Sequence, residues 1–236
     1  MKGNIVIKIG GSLLFTKDYE IKSSKIAEFC NIFRTRKNKE KIIIICGGGL
    51  LSRDFIDAVR FFNGSEALCD TFGIEISRIN AKLLIACFQD YAYPQVPKTI
   101  EELSVALLFN KIIVMGGLQP GQSTTSVALE VAELVQADKF LVLTDVEGIY
   151  DKDPKKFNDA QLLKKINYDQ LQEIILDLGE DDQAAAGEYR IFDAVSLQIL
   201  KRSEINTTIM SGTNLNNFIK FWDGEKGTTG TEISKE

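Results

Sequence analysis

Short apolar runs alternate with amphipathic segments along most of the chain. The apolar runs predict buried strands at positions 4–9, 41–46, 111–115, 139–144 and 206–210. Apolar residues recur at helical spacing between them, which predicts helices at 23–36, 50–62, 69–91, 123–136, 168–177 and 190–202. Strands that alternate with helices of this length predict an α/β fold with a mostly parallel sheet covered on both faces.

No linker rich in proline or serine interrupts this alternation. At 236 residues the chain is long enough to form one large α/β domain. We therefore interpret residues 1–236 as a single domain, with a soft boundary near residues 136–138 between two lobes of one continuous sheet.

Three of the predicted strands end in glycine-rich turns, with the sequences KIGGS at 8–12, GGG at 47–49 and GGLQPGQST at 116–124. Glycine at the end of a strand lets the backbone approach a ligand, and the helix that follows offers unpaired N–H groups. Three such turns at one sheet edge would form a cradle for several phosphates. The pattern predicts phosphoryl transfer.

The side chains beside these turns suit the same chemistry. The Lys8 ammonium, next to amide donors and the Ser12 hydroxyl, can hold a phosphoryl group whose charge grows during transfer. Arg53 can form two hydrogen bonds to phosphate oxygens, and Ser123 and Thr124 supply hydroxyls where a helix begins. The alternatives are a surface lysine at a strand end, an exposed helix arginine and an ordinary capped loop.

Two further features have weaker chemical meaning. The segment TDVEGIYDKDP at 144–154 follows a strand and suits a nucleotide base and ribose, or Mg²⁺ held indirectly, but it could equally be a solvated hairpin. Asp70 lies at the start of the predicted helix 69–91. The helix dipole alone favours a carboxylate at that position.

Composition narrows the function classes. The net charge of −5 argues against general nucleic-acid binding, and the absence of histidine excludes Ser-His-Asp and Cys-His nucleophiles and histidine-ligated metals. The four cysteines have no CxxC spacing, so we expect reduced, buried thiols. No stretch approaches 18 apolar residues and no signal-peptide pattern is present, which leads us to expect a cytoplasmic protein that does not bind membranes.

Taken in order, these motifs resemble the amino acid kinase superfamily, and within it the archaeal type of uridylate (UMP) kinase. The similarity covers nearly the whole chain, through KIGGS, GGG with Arg53, DTFGI at 70–74, SRINA at 77–81, GGLQPGQSTT at 116–125, TDVEGIYDKDP, and AGEYRIFDAVSLQILKRSEI at 186–205. It implies a three-layer αβα sandwich of the amino acid kinase fold. About residues 1–136 would hold the acceptor, about residues 137–236 would hold ATP, and the assembly would be a homohexamer.

The resemblance also implies individual roles. Lys8 would be the catalytic residue that stabilises the transferring phosphoryl group. ATP and its phosphates would be bound by Gly11, Ser12, Gly49, Arg53, Thr144, Tyr150 and Asp153. UMP would be bound by Gly48, Asp70, Leu118, Gln119, Pro120, Gly121, Gln122, Ser123 and Thr124. Mg²⁺ would accompany ATP, and no residue is assigned as a direct metal ligand.

The chain departs from this family at Asp145 and Glu147, where Asn and Asp are usual, and at Ala194, where Pro is expected. Isopentenyl phosphate kinases are similar but use a histidine at the acceptor phosphate, and aspartate, glutamate and acetylglutamate kinases lack the loop at 119–124. We therefore expect a UMP kinase that converts ATP and UMP to ADP and UDP. The alternatives are a storage protein similar to molybdenum storage proteins and a nucleotide sensor without turnover.

Overall fold

The structure, a computed structural model, describes residues 3–35, 41–152, 154, 157–177, 191–225 and 227–236. Within them lie seven strands: β1 Ile5–Ile9, β2 Ile42–Cys46, β3 Ile113–Met115, β4 Lys139–Thr144, β5 Lys165–Asn167, β6 Thr207–Ser211 and β7 Thr231–Ser234. They form one sheet in the order β3-β2-β1-β4-β6-β7-β5. The first five strands in that order are parallel, whereas β7 is antiparallel to β6 and parallel to β5.

The same residues contain eight α-helices: α1 Ser23–Thr35, α2 Gly49–Phe61, α3 Glu66–Phe88, α4 Ile100–Ala106, α5 Thr124–Leu134, α6 Tyr168–Asp177, α7 Ala194–Ser203 and α8 Leu215–Asp223. Single 3-10 turns occur at Gly11–Leu13 and Gln89–Tyr91. Most helices connect two parallel strands, as a parallel sheet requires.

The sheet separates two apolar cores because successive side chains of a strand point to opposite faces. On β1, Ile7 contributes to the core formed with α1, α3 and α8, and Val6 to the core formed with α4, α5, α6 and α7. Both residues are fully buried. The predicted mostly parallel sheet with helices on both faces is confirmed.

The predicted strands and helices are all present among the described residues, with shifts of a few residues at their ends. The helix predicted to start at 69 starts at Glu66, because the Ser65 side chain accepts a hydrogen bond from the Leu68 amide and caps the helix there. The apolar patterns did not predict β5, β7, α4 and α8. Arg36, the last residue of the predicted helix 23–36, and Arg190, the first residue of the predicted helix 190–202, lie outside the described residues.

The strand register brings the glycine-rich turns together. Ile9 at the end of β1 is paired with Cys46 on one side and Leu143 on the other, and Ile45 is paired with Met115. Because these strands are parallel, the turns that follow β1, β2 and β3 all leave the same edge of the sheet. This edge carries the candidate site.

The cysteines and the helices also bear on the predictions from composition. All four cysteines are free thiols; Cys30, Cys46 and Cys69 are buried, and Cys87 is half-buried. In the part of the chain that the structure describes, every helix is too short or too polar to cross a membrane.

Candidate active site

A cleft of about 870 Å³, including its open mouth, lies at the carboxyl ends of β1 and β2. Its walls are the turns after these strands, the first turns of α2, one face of α3 and the start of α5. The residues that line it are Lys8, Gly10, Gly11, Ser12, Gly47, Gly48, Gly49, Ser52, Arg53, Ile56, Asp70, Gly73, Ile74, Gln122, Ser123, Thr124 and Thr125.

The floor of the cleft is backbone packed against backbone. A Cβ atom on Gly11 would lie 2.3 Å from the amide nitrogen of Gly49, and a Cβ atom on Gly48 would lie 2.4 Å from the Cβ of Ser52. Gly49 also has a φ of +75°, which L side chains rarely adopt. These positions therefore require glycine, and their peptide groups line the cleft in place of side chains.

Two helices begin at the cleft. The first turn of α2 starts at Gly49, and its N-cap residue, Gly48, has no side chain to accept from the free amides. The first turn of α5 starts at Thr124, with Ser123 as the N-cap residue that accepts a hydrogen bond from the Ser126 amide. The unpaired N–H groups and dipoles of helix N-termini favour anions. The two helix N-termini therefore favour an anion in the cleft.

Two cationic side chains line the same cleft. Lys8 shares a face of β1 with Val6, and burial lowers the pKa of its ammonium to about 8, against the opposing attraction of Asp145. Arg53 is half-buried in the second turn of α2. At neutral pH most Lys8 side chains are charged, so both can meet a polyphosphate.

Three side chains of α3 hold the turns in place. Asn80 is buried and donates to the carbonyl oxygens of Gly47 and Gly48, at 2.8 and 3.2 Å. The Ser77 hydroxyl oxygen accepts from the Gly117 amide at 2.7 Å.

Arg78 holds the third turn from the same helix. Its Nε atom donates to the Gly117 carbonyl at 3.1 Å, and its Nη2 atom donates to the Leu118 carbonyl at 3.0 Å. SRINA was identified as a motif, but its side chains were given no role, since contacts between distant positions leave no local signal.

Two buried polar atoms in the cleft have no hydrogen-bond partner among the described residues. They are Ser12 Oγ and Gln122 Oε1. Buried polar atoms are normally hydrogen-bonded, and an unpaired one destabilises the protein by about 1–3 kcal/mol. A phosphate oxygen can accept from the Ser12 hydroxyl, whereas Gln122 Oε1 needs a ligand group that donates.

The structure brings many of the residues singled out in the sequence into this cleft. Those that line it are Lys8, Gly11, Ser12, Gly48, Gly49, Arg53, Asp70, Gln122, Ser123 and Thr124. The cleft also contains residues that were given no role, including Ser52 and Ile56 on α2 and the last two residues of the DTFGI motif, Gly73 and Ile74, on α3. Their helical spacing could have placed them beside Arg53 and Asp70.

The rest of the loop at 118–124 lies outside the cleft lining. Leu118 is half-buried and packs on the core, and Gln119, Pro120 and Gly121 are exposed. The Gly121 amide donates to Asp70 Oδ2 at 2.8 Å, which ties the loop to α3.

The placement of Asp70 corrects one expectation. It is the fifth residue of α3 and not at its start, so the dipole explanation for this carboxylate is wrong. Asp70 accepts a hydrogen bond from the loop at 118–124 and lines the cleft.

Two residues of the second half of the chain that are expected to bind ATP, Thr144 and Tyr150, are not among the residues that line the cleft. Thr144 is buried at the end of β4, and its hydroxyl donates to Asp145 Oδ1 at 3.2 Å. Tyr150 pairs with Leu162 in an antiparallel bridge, so a hairpin-like excursion follows β4. Neither residue lines the cleft, and Asp153 lies outside the described residues.

Comparison with known proteins identifies the family. The model of the amino acid kinase family matches residues 4–211. The uridylate kinase of Methanobrevibacter smithii is 42% identical over 229 residues, which cover 97% of this chain and 98% of that protein. The uridylate kinase of Methanothermobacter thermautotrophicus is 37% identical over 95% of this chain and 97% of its own.

A solved structure agrees with the sequence matches. The crystal structure of the uridylate kinase from Archaeoglobus fulgidus aligns with a TM-score of 0.79 and 32% identity, over 99% of this chain and 100% of that one. The resemblance seen in the motifs is thus confirmed by sequence and by fold. The chain belongs to the amino acid kinase family.

Proposed function

We propose that this protein is a UMP kinase, which transfers the γ-phosphoryl group of ATP to UMP and gives ADP and UDP. The observation that carries the proposal is the cleft itself, where the starts of α2 and α5, Lys8 and Arg53 surround one space. That arrangement suits phosphate groups, and relatives named uridylate kinases match almost the entire chain.

The chemistry needs positioning and positive charge more than it needs a base. A phosphate monoester has a second pKa near 6, so the acceptor oxygen of UMP is already ionised at pH 7. Charge accumulates on the transferring phosphoryl oxygens, and preorganised donors stabilise it. Lys8 and the backbone amides of the glycine turns would supply those donors. The absence of histidine is compatible with this reaction.

Magnesium would enter with ATP. Among the described residues, no group of three His, Cys, Asp or Glu side chains is arranged to hold a metal ion. Mg²⁺ is well suited to coordination by phosphate oxygens and water with few protein ligands.

The proposal includes the division of labour along the chain. Residues up to about 136 would hold UMP, through Gly48, Asp70 and the loop at 118–124. Residues from about 137 onward would hold ATP, through Thr144, Tyr150 and Asp153, with Gly49 and Arg53 contacting its phosphates. All the residues that line the cleft belong to the first half, which supports placing the acceptor there.

A homohexamer in the cytoplasm is proposed from the family resemblance. Exposed apolar side chains such as Phe61 and Phe62 at the end of α2 support self-association, since large exposed aromatic groups often mark interfaces. No specific observation on the described residues favours the storage or sensor alternatives. The two archaeal relatives that match almost the entire chain are both named uridylate kinases.

The proposal is tested by ADP formation from ATP and Mg²⁺ with UMP, CMP, dUMP, AMP, isopentenyl phosphate or no acceptor. We expect turnover to be fastest with UMP and to require an acceptor. A preference for isopentenyl phosphate would assign a different kinase activity. ATP binding without turnover on any acceptor would contradict the proposal and favour a sensor or storage role.

A further inference from the structure

We infer that Asn80 is a positioning residue for phosphoryl transfer: its buried carboxamide directs the amide N–H groups of Gly48 and Gly49 into the cleft. The inference rests on the proposed kinase function. It assigns a role to the SRINA motif, which the roles given to Lys8, Arg53 and Asp70 leave unexplained.

A single side-chain atom of Asn80 makes two hydrogen bonds to the glycine turn. The residue is 1% exposed and lies on α3, more than 30 positions from the turn that it contacts. Its Nδ2 atom carries two protons. That atom donates to two successive carbonyl oxygens, those of Gly47 at 2.8 Å and of Gly48 at 3.2 Å. One side chain therefore fixes two consecutive peptide groups.

Fixing these carbonyls also fixes the amides. In a planar trans peptide, the C=O and N–H bonds point in opposite directions. The Gly47 carbonyl shares its peptide with the Gly48 amide, and the Gly48 carbonyl shares its peptide with the Gly49 amide. With both carbonyls directed at Asn80, both amides point away from that side chain, and all three glycines of the turn line the cleft.

These amides are available to a ligand. Neither the Gly48 nor the Gly49 amide has a hydrogen-bond acceptor in the described part of the chain, whereas the Gly47 amide donates to the Ile9 carbonyl at 2.8 Å. A turn of three glycines has wide conformational freedom and no side chain of its own to restrict it. Donors stabilise a transition state well only if they are already oriented, so an external anchor is needed.

The first test compares variants at Asn80 with wild type. Asn80→Ala removes both hydrogen bonds, and Asn80→Asp keeps the size of the side chain while its carboxylate cannot donate. We expect kcat with UMP to fall on the order of 10²-fold, with each KM changed by less than about threefold. Leu84→Ala is the control, since Leu84 is fully buried on the same helix and does not line the cleft.

The outcomes separate the two proposals. If wild type turns over UMP and an Asn80 variant has the same kcat, the positioning role alone is overturned. A parallel change in kcat, KM and thermal stability, matched by Leu84→Ala, would also overturn it, because that pattern describes general loss of structure. Wild-type protein that does not turn over UMP would overturn the kinase proposal and this inference together.

If the Asn80 variants do not fold, a measurement on wild-type protein still tests whether the two glycine amides contact the ligands. Amide hydrogen exchange is followed with and without a non-hydrolysable ATP analogue plus UMP. We expect the Gly48 and Gly49 amides to exchange quickly in the free protein and at least about tenfold more slowly with the ligands, since the ligand supplies acceptors. The Gly47 amide should be protected in both states. Unchanged exchange at Gly48 and Gly49 would overturn the inference.

Discussion

Gly11 and Gly49 pack with their backbones in direct contact. A Cβ atom on Gly11 would lie 2.3 Å from the Gly49 nitrogen, and one on Gly49 would lie 2.7 Å from the Gly11 carbonyl carbon. The turns after β1 and β2 can therefore approach only because both residues lack side chains. This contact places Lys8, the end of β1 and the start of α2 around one cleft.

A methyl group at position 11 should separate the two turns. Gly11→Ala forces its Cβ against backbone, which cannot move aside as a flexible side chain could. We expect the free energy of unfolding to fall by about 1–3 kcal/mol and UMP turnover to fall more than about 10²-fold. Chemical denaturation and steady-state kinetics measure the two effects.

Gly224→Ala is the control for glycine replacement. Gly224 caps α8 with a φ of +77°, and an added Cβ would meet no atom within 4 Å, so only backbone strain opposes the substitution. It should lower stability by about 1 kcal/mol without changing kcat. Equal activity in the two alanine variants would show that the contact between the turns is dispensable.

Burial of the Lys8 ammonium should lower the free energy of unfolding. Its folded-state pKa of about 8 lies below the value of 10.5 for an unperturbed lysine. Between these two values the unfolded chain binds more protons, so the free energy of unfolding should rise with pH across that window. Lys8→Met should be more stable than wild type near pH 7 and should lack this rise. Parallel stability profiles for the two proteins would show that Lys8 is not desolvated.

The same pKa predicts the alkaline limit of activity. The rate constant kcat/KM reports ionisations of the free enzyme, and a neutral Lys8 cannot stabilise phosphoryl charge. We expect kcat/KM for UMP to decline as pH rises through about 8. Lys8→Arg, whose guanidinium stays charged, should lose this limb even if its activity is lower. A wild-type profile that is flat to pH 9.5 would rule out a required ammonium with this pKa.

Asp70 is predicted to serve UMP and not ATP. Its Oδ2 atom accepts from the Gly121 amide, and its carboxylate lines the cleft beside the loop at 118–124. Asp70→Asn keeps an acceptor oxygen but loses the charge. Calorimetric titration should show UMP binding at least about tenfold weaker and ATP binding nearly unchanged. Equal weakening of both nucleotides would remove the assignment to the acceptor.

The family, the fold class and the main elements could be predicted because the relevant signals are local. Buried strands such as β2 are uninterrupted apolar runs. Consecutive glycines directly after a strand, as at 10–11 and 47–49, are a rare local pattern that indicates close approach of the backbone. The missed β5 and β7 are three and four residues long and include polar residues, so they lack such a run. Short helices such as α4 have little room for periodicity.

The supporting contacts of the site were beyond sequence reasoning for a different reason. Asn80 and Gly47 are 33 positions apart, and only the packing of α3 on the sheet brings them together. Asp70 was found, but its explanation was wrong because the start of α3 depends on the Ser65 cap. Whether a side chain contacts a distant stretch of backbone depends on three-dimensional distance and direction, and the apolar periodicity of the sequence carries no information on either.

Phosphoryl transfer to UMP in the cleft is expected to depend on the Lys8 ammonium. We would measure UDP formation by wild type and by Lys8→Ala side by side, varying UMP at saturating ATP and Mg²⁺. Loss of one preorganised donor corresponds to about 3 kcal/mol, so kcat should fall on the order of 10²-fold while the KM for UMP changes little. An unchanged kcat with a raised KM, or no UDP from wild type, would contradict the account.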